Sequence, residues 1–144
     1  MQMTLGLVCI VFGCIGWGGQ LLSALAFEWA QRWGLQEGSE HTDPLFRSAE
    51  LNAARWDALM LWTLIVAGVL MVIDHAVWPL AALVAGGIHL DAGGREAAKY
   101  LCLRKHQVRV GTASNVKMAC TVFLALGLMG LLVAGYAAFR LLSE

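Results

Sequence analysis

Apolar residues gather in four long runs rather than in short alternating stretches. The runs cover about 3–27, 58–73, 76–90 and 118–139, with polar segments between them. A helix that crosses a bilayer uses about 20 apolar residues. The first and last runs reach that length alone. The second and third hold about 15 or 16 residues, roughly 22–24 Å at the helical rise. Either the second helix starts earlier, with Arg55 reaching up to the surface, or the two form a tight hairpin that stops short of the far headgroups. The earlier start is preferred. Pro79 falls in the first turn of the third run, where its missing N–H breaks no bond. The predicted fold is an all-α membrane protein, with four transmembrane helices in a single polytopic domain over 1–144.

The polar segments carry their own pattern. Asp43 before Pro44 is an N-cap followed by a first-turn proline. Helical spacing continues through Ala49, Ala53, Trp56 and Met60. This predicts a short interfacial helix over 44–57 that runs into the second span, with Arg47 and Glu50 three apart and able to pair. Gly34, Gly38 and Ser39 make the stretch before it a flexible link. Gly93 and Gly94 should break the third helix. Beyond them, Ala97, Ala98, Leu101 and Cys102 share one face, and Arg95 and Lys99 another. A second interfacial helix is expected over 95–103, its basic side toward lipid headgroups. Arg95, Lys99, Arg104, Lys105 and Arg109 are the candidate headgroup contacts. Ser114 or Asn115 can cap the fourth span.

Composition strengthens the membrane assignment. Of 144 residues, 59% are hydrophobic and 14% charged, and the formal net charge is zero. A disordered chain, a soluble charged binder and a fibrous repeat are excluded. Nine of the ten lysines and arginines lie in the two long loops, and only Arg140 lies on the opposite side. The positive-inside rule then puts both loops in the cytoplasm and both termini outside, in a plasma or inner membrane. Trp29, Trp33, Trp56 and Trp78 fall near span ends, as interfacial anchors do. Ala24-Leu25-Ala26 resembles a cleavage site, but Met1-Gln2-Met3 carries no positive charge. The first run is therefore expected to be a retained span rather than a signal peptide.

Candidate chemistry is sparse. There is no nucleophile elbow, phosphate loop, zinc-helix motif or C-x-x-C. The glycines of the first run lie inside an apolar span with no preceding strand. Their expected role is close helix contact, which in lipid depends on small residues. The candidate packing residues are Gly13, Gly16, Gly19 and Ser23 with Gln20 beside them, then Ala82 with Gly86, and Gly130 with Ala134. Glu28, Asp57, Asp74, Asp91 and Arg140 sit at span ends, which argues against proton-coupled transport. His75 and His89 bracket the third run, fourteen residues apart on one face of a continuous helix. They are the candidate haem ligands, but each haem needs a second ligand that no other span supplies. Glu37, Glu40, His41 and Asp43 have metal-ligand residue types without a fixed spacing. The four cysteines form no framework. No cofactor, metal or nucleic-acid partner is expected.

These features point to a small integral-membrane accessory or structural subunit without catalysis of its own. It would pack onto other membrane subunits, or onto itself, and contact membrane lipids. The alternative is a small homo-oligomeric transporter or channel, with Gln20, Thr63 and Thr121 along its path. A redox protein using His75 and His89 is a third reading.

Overall fold

The computed structural model describes residues 1–143. It is all-helical, with 81% helix and no strand among those residues. The helices are α1 (Gln2–Leu25), α2 (Phe27–Arg32), α3 (Pro44–Met60), α4 (Thr63–Val72), α5 (Trp78–Lys105) and α6 (Ala113–Ser143). α1 packs on α4 and α3, α4 packs on α5, and α5 packs most heavily on α6. The core is thin. Cys9, Leu64, Ala67, Met71, Trp78, Ala82, Ala85, Val133 and Ala137 form its buried cluster. The outward faces carry exposed leucine and valine, including Val11, Val84, Leu128 and Leu131. In water such a surface would aggregate; in lipid it is the solvated one.

Three stretches are long and apolar enough to cross a membrane: Gln2–Leu25, Pro44–Val72 and Ala113–Ser143. The sequence predicted four, and the difference lies in the 58–90 region. The 58–73 run is the second part of a rod that begins at Pro44, as the earlier-start reading expected. The helix is interrupted by a turn at Leu61 and Trp62, where the Thr63 hydroxyl donates to the Met60 carbonyl (2.8 Å) and the Trp62 indole to the Leu59 carbonyl (2.8 Å). Side chains that take backbone acceptors in this way bend helices.

The 76–90 run starts at Trp78 and does not end at Gly93 and Gly94. α5 continues to Lys105, so 95–103 is its second half and not a separate helix. Each interior glycine costs about 1 kcal/mol of helix propensity. Packing outweighs that cost at Gly93, where a Cβ would stand 2.5 Å from the Phe123 carbonyl oxygen and 2.8 Å from the Gly127 nitrogen. Glycine there lets α5 and α6 touch backbone to backbone.

Local signals end the helices cleanly. Asp43 caps α3 by accepting from the Leu45 N–H (2.9 Å), as its position before Pro44 predicted. Three C-termini close in the same way, at Gly34, Asp74 and Gln107, all with left-handed φ. In each, the residue after the turn donates to the carbonyl five residues back: Leu35 to Ala30, His75 to Leu70, and Val108 to Leu103. This is the Schellman arrangement. It puts His75 in the turn before α5 begins, so His75 and His89 do not share a helix face.

The rods run up and down, and the two ends differ. At one end the Gln2 amide donates to the Met71 carbonyl (2.9 Å) and to Asp74 (2.8 Å), and Trp78 stacks on Tyr136. At the other, the two long loops are stitched together. The Asp43 N–H donates to the Arg109 carbonyl (2.9 Å), and Thr42 bridges to Val110.

Candidate functional site

The helix contacts are built on facing glycines. On α1 and α4, a Cβ on Gly6 would stand 2.8 Å from the Gly68 carbonyl oxygen. On α5 and α6, Gly86 meets Gly130 and Ala134, and Ala82 is buried nearby. Gly13 lies against Ile65. Gly16 and Gly19 are placed differently: a Cβ on either would meet nothing within 4 Å, and the same holds for Gly18. Ser23 is buried, with its hydroxyl donating back to the Gly19 carbonyl (2.9 Å), and the Gln36 amide reaches it at 3.3 Å. Gln20 is half-buried on the same helix. Gly6 and Gly68 were not singled out from sequence, and Gly93 was read as a helix breaker rather than a contact. The sequence signal for Gly6 was its small-residue spacing with Cys9 and Gly13 along α1.

The most distinctive polar feature joins α3 to α5. Asp57 holds Arg95 at 2.6 Å, and Asp91 holds the same guanidinium at 3.2 Å. Glu50 holds Lys99 at 2.6 Å, and Glu96 pairs with both cations. The side chains of Asp57, Glu96 and Glu50 are only 6, 7 and 12% exposed. Four carboxylates thus surround two cations. Beneath them Phe46, Tyr100 and Phe123 meet edge to face and join α3, α5 and α6.

Sequence reasoning placed these charges at the surface. The 95–103 face is turned the other way: Arg95 and Lys99 point inward, while Leu101 is 70% exposed. The expected Arg47–Glu50 pair is replaced by Glu50–Lys99. The signal was present, since Glu50 and Asp57 are seven apart, and Asp91, Arg95 and Lys99 repeat every four. A cleft of about 250 Å³ opens beside the cluster, lined by Trp56, Asp57, Met60, Ile88, Asp91 and Arg95.

The acidic loop does not converge. Asp43 caps α3, and Glu40 lies 3.8 Å from His41. Glu37 accepts from the Thr112 N–H (2.8 Å) and hydroxyl (3.2 Å) at the start of α6. Thr112, rather than Ser114 or Asn115, occupies the capping position. Burial pushes the Glu37 carboxyl up, but the Thr112, Asn115 and Gly38 hydrogen bonds outweigh it and hold it below its ordinary range. No group of three or more metal-ligating side chains forms among the described residues. His89 is buried, its Nδ1–H donating to the Ala85 carbonyl (2.9 Å), whereas His75 is exposed. The four cysteines are free.

Arg104, Arg109 and Lys117 line a larger cleft of about 650 Å³ at the loop end, with His41 and Glu40 opposite. Lys105 lies exposed beside Arg104 at the end of α5. Comparison with protein-family models, curated proteins and solved structures finds no match to this chain.

Proposed function

We propose that this chain is a small integral-membrane accessory or structural subunit that crosses the bilayer four times and performs no catalysis of its own. Its partners are other membrane subunits, met through small-residue helix faces. Nine of the ten basic residues gather at the loop end, which favours cytoplasmic loops and external termini in a plasma or inner membrane.

Register supports α5 as the fourth crossing. Trp78 lies beside Tyr136, and Tyr100 lies beside Phe123. The 78–100 part of α5 is therefore level with the apolar part of α6. Its outward face carries Leu80, Val84, Leu90 and Leu101, and Asp91 is its one exposed charge over that length. From Leu80 to Leu101 is about 32 Å, close to a hydrocarbon core. Average hydropathy misses such a helix because Arg95, Glu96 and Lys99 count against it although they face protein.

The observation that carries the subunit reading is the open stretch of α1. At Gly16, Gly18 and Gly19 a Cβ would meet nothing within 4 Å among the described residues. In lipid, such a surface gains its contacts from another helix. Gly16→Leu and Gly19→Leu should leave the fold intact and remove co-purifying membrane chains in mild detergent. Unchanged migration of both variants would defeat the reading.

A second reading, a small homo-oligomeric transporter, is favoured by one observation: four carboxylates surround two cations beside an open cleft. Ionisable groups at membrane depth mark ion paths in many carriers. Gln20, Thr63 and Thr121 lend it little, because the Thr63 and Thr121 hydroxyls donate to the backbone carbonyls of Met60 and Lys117, three and four residues back. Cation or proton flux into liposomes, lost in Asp57→Asn, would establish it.

A further inference from the structure

We propose that the cleft between Arg104, Arg109 and Lys117 binds the phosphate headgroup of an anionic membrane lipid, with an acyl chain lying along α6. The inference rests on the membrane reading above and adds a defined ligand to it.

Three cations converge from three segments: Arg104 from the last turn of α5, Arg109 from the connecting loop and Lys117 from the first turns of α6. All three are exposed, and none forms an ion pair among the described residues. They differ in this from Arg95 and Lys99, whose charges are spent on internal carboxylates. The nearby carboxylates do not balance them. Glu37 is bonded to Thr112, and Glu40, 3.8 Å from His41, is the one carboxylate among the described residues that lines the cleft against the three cations. The cleft is thus left with a cationic surplus and room for a headgroup.

Its position selects a lipid over a soluble anion. Lys117 sits at the boundary where the apolar run of α6 begins. From Lys117 the same face of α6 continues through Cys120, Leu124, Leu128 and Leu131, at steps of three and four residues. The three leucines are 63, 57 and 59% exposed. The cationic cleft and the exposed leucine stripe that leads away from it on α6 together offer positive charge at headgroup depth and an apolar surface below it, the two chemistries of a phospholipid.

The test uses the full chain in nanodiscs of phosphatidylcholine with a minor fraction of phosphatidylglycerol, followed by native mass spectrometry of the lipids retained on release. Wild type should retain phosphatidylglycerol over phosphatidylcholine. The Arg104→Gln, Arg109→Gln, Lys117→Gln triple variant should lose that preference by about tenfold or more. Arg32→Gln, in the last turn of α2 beside Trp29 and outside the cleft lining, should keep it. Inorganic phosphate should not displace the lipid. Lys117→Gln alone should give a partial loss, which serves if the triple variant folds poorly. Equal retention of the two lipids by wild type, an unchanged preference in the variants, or displacement by inorganic phosphate would each overturn the proposal. If the chain stays out of the nanodisc, the membrane reading fails with it; a chain that inserts without headgroup preference sinks this inference alone.

Discussion

Gly86 and Gly130 face each other across α5 and α6 so closely that neither can carry a side chain. A Cβ on Gly86 would stand 2.7 Å from the Gly130 carbonyl oxygen, and one on Gly130 would stand 2.5 Å from that of Gly86. The obstacle in both directions is backbone, which cannot swing aside. Gly130→Ala should therefore push the helices apart and cost about 1–3 kcal/mol. Gly87→Ala, one residue along α5 and open to the outside, should cost nothing and can gain helix propensity. Thermal unfolding in detergent separates the two. Equal melting temperatures would mean that close approach does not hold this pair together.

Lys99 is the shared partner of Glu50 and Glu96. Replacing it with methionine keeps the length, leaves the buried Glu50 carboxylate without a cation and leaves Glu96 with Arg95 alone. Breaking a buried pair from one side costs about 3–5 kcal/mol, and the 18% exposure of Lys99 puts this case at the lower end. Adding Glu50→Gln to Lys99→Met should recover part of the loss, because one orphaned charge is then removed. A double variant no more stable than the single one would show that the lysine acts by packing alone.

Glu37 ties the first loop to the start of α6 through Thr112. Its folded-state pKa lies below the ordinary value of 4.5. A depressed carboxylate contributes stability that is full above the unfolded pKa and is lost as pH falls through the folded one. Acidification below about pH 4.5 should therefore loosen the 36–43 and 106–113 loops first, seen as a fall in the protection factor of the Thr112 amide, the ratio of its intrinsic to its observed exchange rate at the same pH. In Glu37→Gln the protection should already be low at neutral pH and vary little with acid. An acid-dependent loss of protection in that variant matching wild type would assign the effect to another group.

Gln107 holds a left-handed φ of 58° at the end of α5. A side chain in that region costs about 1–2 kcal/mol, and glycine recovers most of it at some expense in unfolded-chain entropy. Gln107→Gly should raise stability by up to about 1 kcal/mol. The same change at Asp74 should gain less, because the Asp74 carboxylate accepts from Gln2. Calorimetry of the two variants checks both the sign and the order.

Much of the architecture was legible because lipid imposes one-dimensional rules. Long apolar runs mark α1 and α6, and the basic residues mark one end of the molecule. Asp43 with Pro44 gave the start of α3 to the residue. The error at Gly93 and Gly94 came from reading glycine by propensity alone. In a helix pressed against another, the missing Cβ is what the contact requires, and only the position of α6 reveals that. The charge cluster was misread for a related reason. Glu50, Asp57, Arg95, Glu96 and Lys99 look like two solvated faces until α3 and α5 are laid side by side.

Sequence by itself determined that this polypeptide is helical, that its outside is apolar and that its cations gather at one end. Those properties depend on the order of residues along a helix, which the chain carries locally. Tertiary structure decided which glycines touch, which charges are shared, and which cations form no ion pair among the described residues. Those depend on the rotation and register of each helix against its neighbour, set by contacts between residues tens of positions apart.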